Sequence, residues 1–135
     1  MRAFLDTNVL LYADDADAGP KTAAARTLVR RCMEDRTGVV STQVLQEYYV
    51  NATKKLRMEG SEARARIELY LGFEVVTTST SLLLAAVDLH RLERVSFWDA
   101  MVIRAAQHAG CITLFSEDLQ AGRHFGATQV LNPFA

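Results

Sequence analysis

Two short runs limit the folds open to this chain more than anything else in it. Val39-Val40-Ser41-Thr42 and Cys111-Ile112-Thr113-Leu114-Phe115-Ser116 are apolar almost without a break. Neither shows the in–out alternation of a strand with one wet face, so both predict strands covered on two sides, as in a parallel sheet. RAFL (2–5) and FEVVTT (73–78) read as further strands, and ATQVLNPF (127–134) carries a short fifth. Helix-period segments fill the gaps: one opening near Val9, one over 22–36 with Ala24, Leu28, Val29 and Cys32 on its apolar stripe, then 43–58, 61–72, 80–94 and 96–110. Gly38 is expected to end the second helix and Ser61 to cap the fourth. Strands alternating with helices predict an α/β fold, a three-layer α/β/α sandwich around a central, mainly parallel sheet. No linker or repeat divides the 135 residues, so one domain over 1–135 is expected.

In open parallel sheets, functional groups collect just beyond the carboxyl ends of the strands. Asp6 follows the first strand directly. Glu47 lies early in the helix after the second, Asp118 two residues beyond the fourth, and Asp99 in the opening turn of the helix that feeds the fourth. Singly, each acid has an ordinary structural role. Asp6 can cap the helix starting at Thr7, and Asp99 completes a capping box opened by Ser96. Asp118 can sit near a helix N-terminus, and Glu47 can be a solvated helix residue. Gathered at one rim, however, the four carboxylates repel and raise one another's pKa, an arrangement that is costly unless a cation occupies it. Oxygen donors without His or Cys select magnesium or manganese over zinc. A magnesium ion that keeps its waters and shares phosphate oxygens describes a phosphodiester-cleaving site.

Composition narrows the remaining classes. A net charge of −1 excludes a strongly basic module of the histone kind but leaves a nuclease open. Cys32 and Cys111 lack metal-ligand spacing and read as reduced, buried thiols of a cytoplasmic protein. Asp6 interrupts the only N-terminal apolar run, which argues against a signal peptide, and no stretch reaches membrane-span length. A haloacid-dehalogenase-type phosphatase needs a second Asp where Asn8 stands, and a receiver domain needs an acid within Thr77 to Ser81, where there is none. Arg26, Arg30, Arg31, Lys54, Lys55 and Arg57 are candidate RNA-phosphate contacts but read first as solvated helix faces. Arg123 falls near the predicted rim and is the preferred RNA-phosphate contact. Tyr48, Tyr49 and Tyr70 are expected in core or interface, and Trp98 is expected to pack beside Asp99 and fix it.

FLDTNVLLY (4–12), Glu47 within STQVLQEYY, Asp99 within SFWDAMVIRAAQHAGC and Asp118 within LFSEDLQAG together resemble the PIN domain. More narrowly, the set is similar to the VapC toxin ribonucleases of type II toxin–antitoxin pairs, and the resemblance runs from Phe4 to the terminal VLNPF. It implies a magnesium-dependent endoribonuclease, with manganese as a substitute, that leaves 5′-phosphate and 3′-hydroxyl ends. Asp6, Glu47, Asp99 and Asp118 would be the catalytic acids, with Asp6, Asp99 and Asp118 as metal ligands and Asn8 and Ser116 holding ligands or metal waters. Glu117 remains open as the fourth acid in place of Asp118. A cognate antitoxin and a homodimer are implied as partners beside the RNA substrate. A PIN-like module that binds RNA or a partner without cleaving is the competing reading, and loss of a main acid would favour it.

Overall fold

A computed structural model describes residues 1–135. The elements run β1 (Ala3–Leu5), α1 (Thr7–Asp14), α2 (Pro20–Glu34), β2 (Gly38–Ser41), α3 (Thr42–Lys54), α4 (Gly60–Tyr70), β3 (Glu74–Val76), α5 (Thr80–Leu92), α6 (Phe97–His108), β4 (Thr113–Phe115), β5 (His124–Phe125) and β6 (Thr128–Leu131). The six strands form one sheet in the order β3-β2-β1-β4-β6-β5. Every pairing is parallel except β5 with β6. Helix α1 packs on α2 and α3, and α3 on α4, while α5 pairs with α6. With right-handed crossovers these two groups cover opposite faces of the sheet, giving the expected three layers.

Of the two diagnostic runs, the first is covered on both sides over 39–41, whereas in 111–116 Thr113 and Phe115 are half-buried and Ile112 is exposed, so β4 is wetted on one side. Val39, Val40 and Leu114 are buried, and so are Phe4 and Leu5 of β1 between them. Because β1 pairs with β2 on one side and β4 on the other, the first strand of the chain lies inside the sheet. The connections leave β1 toward β2 and return past it to β4, so the crevice between the carboxyl ends of β1 and β4 is the switch point of the topology.

Several boundaries differ from expectation for local reasons. Helix α2 ends at Glu34, and Arg36 takes the left-handed turn (φ 56°) that glycine was expected to take. Gly38 instead opens β2, where a Cβ would stand 2.4 Å from the Phe73 ring. Helix α4 begins at Gly60 after Glu59, with no side-chain cap, so Ser61 does not cap it. The short fifth strand is β6. Its antiparallel partner, the two-residue β5, is too brief to show in a sequence pattern. No helix follows β4, so Asp118 gains nothing from a helix dipole. Ser41 and Ser96 do cap α3 and α6, accepting from the backbone N–H groups of Val44 and Asp99.

Both cysteines are free and buried, and burial pushes the Cys111 thiol up to about 12. Tyr48 and Tyr70 are core residues with an anchor that sequence did not reveal. Both hydroxyls donate to Asp14 Oδ2, at 2.5 and 2.6 Å, while Arg66 pairs with Asp14 Oδ1 at 2.8 Å. The end of α1 is thereby tied to α3 and α4. Tyr49 and Trp98, by contrast, are exposed.

Candidate active site

The register of β1 and β4 sets the centre of the site. Leu5 is paired with Phe115, so Asp6 and Ser116 are the next residues on neighbouring strands. The Asp6 N–H donates to the Phe115 carbonyl at 3.0 Å, and Ser116 Oγ donates to Asp6 Oδ2 at 2.7 Å. Asp6 Oδ1 accepts from the Thr7 N–H at 2.8 Å, which makes Asp6 the cap of α1 as well. The side chain is buried. Burial drives its pKa upward, the bonds from Ser116 and Thr7 oppose that, and Glu47 and Asp118 add repulsion. The net effect is a pKa of about 6.

Asn8, the second residue of α1, ties the loop after β4 to this centre. Its Nδ2 donates to Asp118 Oδ2 at 3.0 Å, and its Oδ1 accepts from the Glu117 N–H at 3.2 Å. The Asp118 N–H donates to Ser116 Oγ at 3.1 Å. Glu117 points elsewhere. It pairs with Lys21 and accepts from the Tyr12 hydroxyl at 2.5 Å. Burial works to raise the Glu117 carboxyl, but the Lys21 and Tyr12 contacts outweigh it and hold it below the ordinary value. Lys21 also lies 4.9 Å from the Tyr12 ring centroid, and Phe134 packs edge-on against that ring.

Glu47 reaches the same rim from the second turn of α3. Thr7 Oγ1 donates to one of its oxygens at 3.1 Å and Gln43 Nε2 to the other at 2.9 Å. Gln43 also makes a longer contact, 3.4 Å, to the Trp98 carbonyl, linking α3 to the start of α6. Asp99 stands there, partly buried. Burial raises its pKa, Ser96 opposes, and Asp118 and Glu47 push it further up. Trp98 does not hold Asp99 by packing: its side chain is 61% exposed and only Phe97 stacks edge-on against it.

Arg123 takes another course. Its guanidinium pairs with Glu93 at 2.9 Å, donates to Gln120 and lies over the Phe125 ring. Thr7, Gln43, Tyr12 and Lys21 were not singled out from sequence. Only Gln43 carried a readable signal, four residues before Glu47 on the same helical face. No three acidic, His or Cys side chains form a ready-made metal cage. The donors around the rim are nevertheless all oxygens or amides, with no His or Cys among the residues lining the adjoining groove.

The PIN domain family model matches residues 3–124. The chain belongs to the PIN domain family. No protein of curated function matches the sequence. Among solved structures, a toxin–antitoxin complex from Klebsiella pneumoniae superposes with a TM-score of 0.71 at 21% identity, covering 97% of each chain. VapC20 of Mycobacterium tuberculosis, a toxin that cleaves the sarcin–ricin loop, gives 0.66 at 20% identity over 86% of this chain and 91% of its own. VapBC2 of Rickettsia felis, bound to promoter DNA, gives 0.70 at 17% identity over 98% of both. At these identities the likeness is one of fold. In this PIN domain Glu47 and Asp118 lie close enough to raise the pKa of both Asp6 and Asp99.

Proposed function

We propose that residues 1–135 form one nuclease domain that acts in the cytoplasm as the toxin of a type II toxin–antitoxin pair, hydrolysing RNA phosphodiesters as a magnesium-dependent endoribonuclease. The observation that carries this reading is the approach of Asp6, Glu47, Asp99 and Asp118 from four separate segments, with the buried Asp6 pushed up to a pKa of about 6. Acids brought together at such cost, with oxygen donors alone, suit a hard cation.

Asp6, Asp99 and Asp118 are the proposed ligands. Ser116 orients Asp6, and Asn8 orients Asp118. Bound there, Mg2+ or Mn2+ supplies the charge that polarises the phosphate and activates water. Glu47, its two oxygens fixed by Thr7 and Gln43, is placed to accept a proton as water attacks. The toxin complexes of the same fold support a protein antitoxin as partner, and a homodimer is the expected free form.

The test is cleavage of total RNA by the purified chain with and without magnesium. Asp6→Asn and Asp99→Asn are expected to fold normally by circular dichroism and to lose cleavage. Two folded variants that cut at the wild-type rate would displace the site.

A further inference from the structure

A groove of about 370 Å³ leads away from the acids between α1 and α3. Glu47 and Asn51 of α3 and its C-cap residue Lys55 line one wall at i, i+4 and i+8, and Asn8 and Tyr12 of α1 line the other. We propose that this groove carries the RNA strand beside the scissile bond and that Lys55 binds a phosphate next to the one cleaved. The proposal rests on the nuclease reading above and deepens it.

Lys21, the cation beside Tyr12, is held by Glu117, which leaves Lys55 as the one cation lining the groove. Lys55 lines the groove, is exposed, and its ammonium takes part in none of the ion pairs or side-chain hydrogen bonds of the protein. Asp15, the acid at the same end, turns its carboxylate to the Asp17 N–H at 3.0 Å. Eight residues of helical rise set the Lys55 backbone about 12 Å along the axis from that of Glu47. A side chain based there serves the strand beside the acids and not the acids themselves. A phosphodiester strand meeting four carboxylates needs a compensating charge along its approach, and in this groove Lys55 is the one left free to provide it.

The experiment measures cleavage kinetics and salt dependence on a single-stranded oligoribonucleotide taken from a mapped cut site. Binding is measured in parallel by anisotropy in the Asp99→Asn background. Lys55→Gln is expected to raise KM and Kd about fivefold near ~0.1 M salt and to make the log–log salt slope shallower by about 0.7, with kcat unchanged. Lys55→Arg is expected to restore binding and Lys55→Glu to weaken it further. Wild-type KM and salt slope in Lys55→Gln, beside a wild type that cleaves, overturn the groove assignment alone. A wild type that neither binds nor cleaves RNA overturns the nuclease reading and this assignment with it.

Discussion

Asp6 serves two arrangements that pull against each other. As a cap it accepts from the Thr7 N–H, yet it is buried beside Glu47 and Asp118, and its pKa rises from an ordinary ~3.9 to about 6. A raised folded-state pKa means that the native protein binds more protons than the unfolded chain between those values, so stability falls as pH rises through that window. The charged form costs roughly 3 kcal/mol, present above about pH 6 and absent below about pH 4. With divalent cations chelated, Asp6→Asn is therefore expected to melt higher than wild type at pH 8, with the gap closing toward pH 4; thermal melts across that range check it. At Asp99 the cap uses the backbone N–H rather than the carboxylate, so Asp99→Asn keeps it and is expected to change stability by less than about 1 kcal/mol while abolishing cleavage. Chemical denaturation alongside the RNA assay separates the two effects. These acids were legible in sequence because each interrupts or follows an apolar run. Thr7 and Lys21 were not, since what matters about them is a partner 40 and 96 residues away.

At the scale of elements, sequence periodicity found every helix and five of the six strands, because burial of one face or two leaves a pattern. It failed where a residue answers to a tertiary neighbour. Gly38 looked like a helix stop and is in fact the place where β2 passes under Phe73. Gly38→Ala drives a methyl into that ring and is expected to cost about 1–3 kcal/mol; Phe73→Leu in the same chain should return part of it. Urea denaturation of the single and double variants measures the recovery. Asp14, which no sequence pattern marks, likewise fastens α1 to α3 and α4. Tyr70→Phe removes one hydrogen bond to a charged carboxylate and is expected to cost about 1.5–3 kcal/mol without altering RNA cleavage, since this network lies outside the acid rim.

For the whole molecule, cation binding and stability are linked. A divalent ion that binds only the folded rim should raise the melting temperature, by about 2.7 kcal/mol of stabilisation at a hundredfold excess over Kd, and the increment should vanish in Asp6→Asn and Asp99→Asn. Calorimetry with and without magnesium reads it directly. The placement of β1 has a further consequence. Its partners arrive at residues 38 and 113, and the side chains that complete Asp6 stand at 116 and 118. Asp6 therefore gains its partners only across more than a hundred intervening residues, so its surroundings form by long-range docking and not within the N-terminal segment.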